Sequence, residues 1–326
     1  MSLRCLYLTA PDTLDPWFAD VRDAVGERAE LVLHDPARPF AEQVAGARAI
    51  IDLGGSESTR SMIDAAAAAG VELVQVHGTG LDHVDVAYML SRGLRVAHCS
   101  GVHSAPALAE HALCLLLAVA KHLPQSRSNL EAGAFYRPMN DELGGKTLLL
   151  IGLGASAREL APRARALGLR VVAIDRIRPD ADLLERIGVS RFGDTTVLDE
   201  VLPEADFISL HVPLTEETSR LIDRRRLGLM RETAVLINVA RGGLVDQDAL
   251  VQALETGRIA GAGLDVFSVE PLPADHPLIK LPNVVLTPHT AGVTAGTSRR
   301  RGAASAENLV RLQAGMPLLD ELVSAP

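Results

Sequence analysis

Residues 148–175 read LLLIGLGASARELAPRARALGLRVVAID. The four apolar residues Leu148 to Ile151 have the make-up of a buried strand, and they run into Gly152-Leu153-Gly154 and then an Ala-, Arg- and Leu-rich segment of helical character. A second apolar run, Val171 to Ile174, ends in Asp175, about 20 residues beyond the glycines. Strand, glycine turn, helix, strand and acid, in that order, form the pattern of a dinucleotide site. Small residues are needed at the turn because pyrophosphate oxygens must approach backbone N–H groups at a helix N-terminus, where the dipole favours negative charge. The third small position is Ala157. The acid accepts from the adenosine ribose hydroxyls and repels the additional phosphate of NADP, so NAD is expected ahead of NADP. Arg176 and Arg178 follow at once and could serve such a phosphate. The glycines alone would also suit an ordinary strand-to-helix turn; the flanking strand, the helix and the distance to the acid favour the cofactor.

The 326 residues suffice for about two domains, each with its own core. Hydrophobic content of 48% with only 3% aromatics suits helices packed on parallel sheets. A net charge of -9 argues against nucleic acid or an anionic membrane as a partner, since both require a basic face. The opening MSLRCLYLTAPDT lacks an apolar core of signal-peptide length, and Glu110 and His111 interrupt the most apolar helix candidate, so a soluble cytoplasmic protein is expected. Cys5, Cys99 and Cys114 are odd in number and widely spaced, which gives neither a disulfide frame nor a metal site.

From Leu3 to about Gly101, short apolar runs (Leu3 to Leu8, Ala49 to Leu53, Leu73 to His77, Leu94 to Ala97) alternate with helix-like segments such as Glu57 to Ala69, the alternation of a parallel α/β sheet. Just beyond one run lies Gly78-Thr79-Gly80-Leu81-Asp82-His83-Val84-Asp85. Loops at the carboxyl ends of strands build ligand crevices, but a plain loop with Asp85 as a cap reads equally well from the pattern. His103 to Leu123 reads as one helix with Ser104 as N-cap, apolar on nearly all faces, hence buried in a core or against another subunit. Residues 131–145 read as a polar connection. Further runs at Phe207 to Leu210, Ala234 to Ile237, Ala262 to Leu264 and Val284 to Leu286 complete a second doubly wound unit, and a closing helix is expected at about 296–314.

Three loops of the second unit carry residues suited to chemistry. Arg241, in Asn238-Val239-Ala240-Arg241-Gly242-Gly243, offers a planar fork that matches a carboxylate; a surface arginine in a turn before an Asp246 cap is the plainer alternative. Glu270 follows Asp265-Val266-Phe267, and His289 follows Thr287-Pro288. A histidine beside a carboxylate has its protonated form favoured, which suits a general acid and base, provided the loops converge.

The ordered set G-L-G-x-x-A with Asp175, His211-Val212-Pro213-Leu214-Thr215, Asn238 to Gly243, Gly263 to Phe267 with Glu270-Pro271, and Thr287-Pro288-His289 resembles the D-isomer-specific 2-hydroxyacid dehydrogenases, among them the short phosphoglycerate dehydrogenases and the hydroxypyruvate and glyoxylate reductases. Upstream it extends through Ala109-Glu110-His111 to Gly78–Asp85. The resemblance implies two Rossmann-like or flavodoxin-like doubly wound domains with an active-site cleft between them: a discontinuous substrate domain, 1–101 plus 296–326, and an NAD-binding domain, 102–295. It implies Arg241, Glu270 and His289 as the catalytic residues. Gly152, Gly154, Ala155, Ser156, Asp175, His211, Val212, Pro213, Val239, Ala240, Arg241, Asp265, His289 and Gly292 would hold the cofactor, and Gly78, Thr79, Gly80, Arg241 and His289 the substrate, with no metal. Gly54-Gly55-Ser56-Glu57 and Val76 to Gly80 would face the substrate's variable end. Helix 104–123 would join a homodimer.

Departures from the family pattern are mild. Ala155-Ser156 replaces the more usual Arg-Ile, which weakens one expected pyrophosphate contact, and His103 stands where Asn is common. Glu270 sets the chain apart from the formate dehydrogenases of this fold, which carry Gln there, and Thr79 from phosphite dehydrogenases, which carry Lys. An NAD(H)-sensing, corepressor-like binding protein is the alternative on the same fold. A short-chain dehydrogenase would require Tyr-x-x-x-Lys, but Tyr88 is followed by Arg92 and Tyr136 by Asn140.

Overall fold

The computed structural model describes residues 3–9, 15–54 and 58–324. By internal packing the chain divides into two units, Met1–His103 with Thr294–Pro326, and Ser104–Val293; the sequence reading draws these changes at 101/102 and 295/296.

The first unit runs β1 (Leu3–Leu8), α1 (Trp17–Val25), β2 (Ala29–Leu33), α2 (Phe40–Val44), β3 (Ala49–Asp52), α3 (Arg60–Ala68), β4 (Leu73–Val76), α4 (Val86–Ser91) and β5 (Arg95–His98). Its sheet has the order β2-β1-β3-β4-β5, all parallel, the flavodoxin-like arrangement, with a short antiparallel strand from the chain's end beyond β5. Alternate residues of the strands feed opposite faces. Cys5, Tyr7 and Ile51 join one core with α1, and Leu6, Leu8 and Ile50 join another with α3. Gly55, Ser56 and Glu57, expected near the substrate, lie outside the described residues.

The second unit runs α5 (Ala105–Ala120), α6 (Leu123–Glu131), β6 (Thr147–Ile151), α7 (Ala155–Ala166), β7 (Arg170–Ile174), α8 (Ala181–Ile187), β8 (Val189–Gly193), α9 (Leu198–Val201), β9 (Phe207–Leu210), α10 (Arg224–Leu229), β10 (Val235–Asn238), α11 (Gln247–Glu255), β11 (Gly261–Leu264) and β12 (Val284–Leu286). The sheet order β8-β7-β6-β9-β10-β11-β12 is parallel throughout and reverses direction between β6 and β9. That reversal is the topological switch point where open α/β sheets bind ligands. Leu149, Ile151, Val172 and Ile174 face a core with α9 to α11, while Leu148, Leu150, Val171 and Ala173 face α5 and α7. Burial on both faces explains why these strands read as unbroken apolar runs.

α5 sits on β11 because β11 is built with glycine. A Cβ on Gly263 would lie 2.8 Å from Leu115 Cβ, and one on Gly261 2.8 Å from Val119 Cγ1. The helix expected from 103 to 123 is shorter, α5 ending at Ala120. His122 takes a left-handed φ of 45°, and the axis turns by 48° into α6, which fills the stretch between the expected helix and the polar connection and overlaps them only at Leu123 and Glu131. Ser104 stands at the N-cap position without a side-chain bond to the helix. One face of α5 remains exposed, a groove lined by Glu110, Leu113, Cys114, Leu117, Lys121 and Leu123. Among the described residues, no single helix is long and apolar enough to cross a membrane.

The closing helix, α12 (Ala295–Gln313), and β13 (Glu321–Leu322) return to the first unit. Asn308 of α12 donates to Gln75 Oε1 of β4 (2.7 Å), and Ser305 Oγ lies 2.9 Å from His77 Nδ1, so buried polar contacts fix the helix to that sheet.

Candidate active site

Every strand of the second sheet from β6 to β12, β8 apart, delivers expected site residues at its carboxyl end: Gly152 to Ser156 after β6, Asp175 after β7, His211 to Pro213 after β9, Val239 to Arg241 after β10, Asp265 after β11 and His289 to Gly292 after β12. The sequence fragments meet where the fold is suited to hold a ligand.

Gly152 takes φ 92°, and a Cβ there would lie 2.6 Å from the backbone oxygen of His211. Only glycine allows the β6 loop to lie on the β9 loop this closely. Gly154 opens onto free space, and α7 begins behind it with no side-chain cap. The N-terminal turn of α7 is therefore left without a capping side chain, which suits it to receive an anion. Asp175 Oδ2 accepts from Leu153 N (2.6 Å) and its Oδ1 from Ile177 N (3.1 Å), which fixes the acid at the rim of the glycine loop. These residues fit a dinucleotide. Arg178 lies over the Phe192 ring at 5.5 Å, and Glu217, held low chiefly by its hydrogen bond from Thr215, also feels the charge of Arg176.

After β10, Asn238 closes its own loop: Nδ2 donates to Arg241 O (2.9 Å) and Oδ1 accepts from Ala240 N (3.1 Å). Gly242 then meets the next loop with no room to spare, since a Cβ would fall 1.9 Å from the carbonyl of Phe267. That contact seats the Arg241 turn on the segment that leads to Glu270. Asp246 does cap α11, accepting from Ala249 N at 3.0 Å, so the turn and the cap exist together with the arginine.

The loops of Glu270 and His289 converge. Glu270 Oε1 accepts from Phe267 N (2.9 Å), and Oε2 lies 2.7 Å from His289 Nδ1. A carboxylate only accepts, so Nδ1 carries the hydrogen and the ring presents Nε2 on its other side. His289 sits at φ 54°, a left-handed conformation that costs a non-glycine residue about 1 kcal/mol or more. Its N–H donates to Asp265 O (2.8 Å), which holds it there.

Asp265 is fully buried. Its carboxylate accepts from Thr287 Oγ1 (2.6 Å), Thr290 N (2.8 Å) and Ala291 N (2.8 Å), and His111 Nε2 of α5 lies 3.4 Å away. Burial pushes the group up, but hydrogen bonds from His111, Thr287, Ala291 and Thr290 outweigh it and hold the carboxyl below its ordinary value. Thr287 spends its proton on Asp265, so the 2.8 Å contact between Thr287 Oγ1 and His111 Nε2 is a donation from the ring. Sequence reasoning gave His111, Thr287 and Asn238 no role. The signals for His111 are a polar side chain inside an apolar helix and its place in the Ala109-Glu110-His111 stretch of the resemblance.

Gly78, Thr79 and Gly80 belong to the first unit and follow β4. There Arg301 Nη2 donates to Thr79 Oγ1 (3.2 Å), and His98 Nδ1 lies 3.2 Å from Thr79 O. Asp85 caps α4 through Tyr88 N, so this segment is both a polar loop and a capped helix start.

Comparison with known proteins gives a consistent result. Residues 113–291 match the model of the D-isomer specific 2-hydroxyacid dehydrogenase NAD binding domain. A glyoxylate reductase of Korarchaeum cryptofilum is 39% identical over 255 residues, 76% of this chain and 75% of that protein. A hydroxypyruvate reductase of Thermotoga maritima is 39% identical over 247 residues, 74% of this chain and 77% of that protein. Among solved structures, a Thermus thermophilus protein at 36% identity superposes with a TM-score of 0.80, covering 98% of this chain and 100% of its own. A Lactobacillus jensenii D-lactate dehydrogenase with NAD+, at 28% identity, gives 0.82 and covers 98% and 99%.

Asp265→Asn isolates the buried carboxylate. At neutral pH the variant is expected to lose about 2–3 kcal/mol of unfolding free energy, because charge-assisted bonds become neutral ones and the amide adds a donor among donors. A folded-state pKa below the ordinary 3.8 gives stability that is present above that value and lost as pH falls through the lower one. The gap between the two proteins should therefore close in acid; chemical denaturation at a series of pH values would show it, and a gap independent of pH would contradict the assignment.

Proposed function

The chain belongs to the D-isomer specific 2-hydroxyacid dehydrogenases, an NAD-dependent enzyme family, and on that premise we propose that it interconverts a small 2-keto acid and its D-2-hydroxy acid with His289 as general acid and base. The observation that carries this reading is the 2.7 Å contact between His289 Nδ1 and Glu270 Oε2. With Nδ1 committed to Glu270, Nε2 is the nitrogen that gives a proton to the keto oxygen in reduction and takes it back in oxidation. Glu270, anchored by Phe267 N, orients the ring and stabilises its charged form. NAD, when bound, supplies the hydride chemistry. Arg241 pairs with the substrate carboxylate and fixes which carbon is presented. Gly78, Thr79 and Gly80 are assigned to the same carboxylate. Val239, Ala240, Asp265 and Gly292 are assigned to the cofactor, Asp265 through the loops it ties together.

Glyoxylate, hydroxypyruvate and their short aliphatic or phosphorylated analogues are the substrate class, in line with the relatives named as glyoxylate and hydroxypyruvate reductases. Relatives named as reductases and dehydrogenases do not favour the NAD(H)-sensing alternative. The working form is taken as a cytoplasmic homodimer joined through the exposed face of α5.

Three measurements test these assignments. With a panel of small 2-keto acids and NADH, one acid should be turned over, and His289→Ala or Arg241→Ala should lower kcat/KM by roughly 10³-fold while the NADH Kd moves less than about threefold. Full activity in both variants would remove the mechanism. NADH should be preferred to NADPH, and Asp175→Ser should narrow that preference at least about tenfold by removing the charge at the ribose rim; equal use of both cofactors by the wild type would refute the role of Asp175. Leu117→Glu places a charge in the α5 groove and should shift sedimentation from dimer to monomer, whereas a monomeric wild type would dismiss the dimer.

A further inference from the structure

The glycine loop lacks a basic residue at the two positions after Gly154, which hold Ala155 and Ser156. Ser156 Oγ lies 2.9 Å from His211 Nδ1, and His211 Nε2 lies 2.9 Å from Ser209 Oγ. The three side chains form a line from the interior of β9 to the N-terminal turn of α7. The His211 backbone is fixed as well: its N–H donates to Ile151 O (2.7 Å), and its carbonyl fills the space that Gly152 leaves open.

The proton positions along this line follow from burial. Removal of the His211 ring from water pulls it down to about 4, so it is neutral at pH 7 and has one N–H. If that hydrogen were on Nε2, it would point at Ser209, and the Ser209 hydroxyl would need another acceptor for its own proton. Ser209 is 1% exposed, and among the described residues its side chain bonds only to His211. A buried hydroxyl with no acceptor costs about 1–3 kcal/mol. If the hydrogen is on Nδ1, Ser209 donates to Nε2, Nδ1 donates to Ser156, and no donor is stranded. Ser156 Oγ then accepts from the ring, and its own proton must point away from the ring, free for another acceptor.

We propose that Ser209 and His211 form a positioning relay that fixes Ser156 as a hydrogen-bond donor to the cofactor's pyrophosphate. The inference rests on the reading of this loop as the NAD pyrophosphate seat. It assigns His211 an indirect role, since both of its ring nitrogens are already engaged by serines. It also gives a reason for serine two residues after Gly154: a donor of fixed direction takes up part of the work that a cationic side chain would do at the preceding position, which holds Ala155.

The test is the Kd for NADH, read by fluorescence titration, together with the tautomer of His211 read from its ring ¹⁵N shifts. Ser156→Ala should raise the Kd roughly tenfold, within the range for one charge-assisted hydrogen bond. His211→Asn, whose amide N–H stands in the place of Nδ1–H, should stay within about threefold of wild type, whereas His211→Gln should resemble Ser156→Ala. The Ser156→Ala, His211→Gln double variant should be no weaker than the weaker single, because the residues act on one bond. An unchanged Kd in Ser156→Ala, a wild-type ring protonated on Nε2, or additive losses would overturn the relay while leaving the cofactor reading intact. A wild type that does not bind NADH would overturn that reading and the relay with it.

Discussion

The candidate active site depends on one buried carboxylate. Asp265 gathers a threonine hydroxyl, two backbone N–H groups and the His111 ring, and its own backbone oxygen accepts from His289. Removing a carboxylate from water costs several kcal/mol, so such a group persists only when its lone pairs are filled. Here they are filled by the loop that must be positioned. The desolvation penalty is thus turned into a constraint: any movement of residues 287–291 away from Asp265 would leave a bare buried charge. His111, which with Glu110 interrupts the apolar run of α5, ties the same knot to that helix.

Glycines do the second part of the positioning. At Gly152 and Gly242 a Cβ would enter the backbone of a neighbouring loop, that of His211 in one case and that of Phe267 in the other. Each contact brings the ends of two strands of one parallel sheet closer than ordinary side chains allow, so that residues far apart in sequence share a site. Gly263 acts one layer deeper, where it lets α5 settle on β11 and bring His111 within reach of Asp265. The order is hierarchical: helix on sheet, then carboxylate on loop, then histidine on glutamate.

Legibility in the sequence followed from the same physics. Leu148 to Asp175 declared itself because a strand buried on both faces leaves an unbroken apolar run and a phosphate turn demands glycine. The strands β2 and β8 left no such trace, since at the sheet edges their burial is partial and polar residues such as Glu30 and Arg191 occupy them. The break after Ala120 went unread because apolar character continues to Leu123, while the stop depends on the left-handed backbone of His122. The proposed catalytic trio was visible as residue types in loops after strands, but the pairing of Glu270 with His289 is a fact of loop geometry. The Ser156, His211 and Ser209 line was hidden for a different reason. Its members read separately as parts of a glycine loop, a cofactor channel and a strand, and only the fold puts them in register.

The backbone of His289 shows how this hierarchy reaches the chemistry. A left-handed φ at a residue with a Cβ is unfavourable by itself and survives where surrounding bonds overdetermine it. Its N–H is held by Asp265 O, the next residue's N–H by Asp265 Oδ1, and its ring by Glu270, so three anchors act on one residue and its neighbour. An extended conformation at position 289 would relieve the local cost but would break the bond to Asp265 O and swing the ring away from Glu270. A side chain that is half exposed, at 49%, would ordinarily sample several rotamers. The strained backbone and the fixed carboxylate together limit this one to the direction in which Nε2 faces outward, and the orientation that the proposed proton transfer requires is set before any substrate arrives.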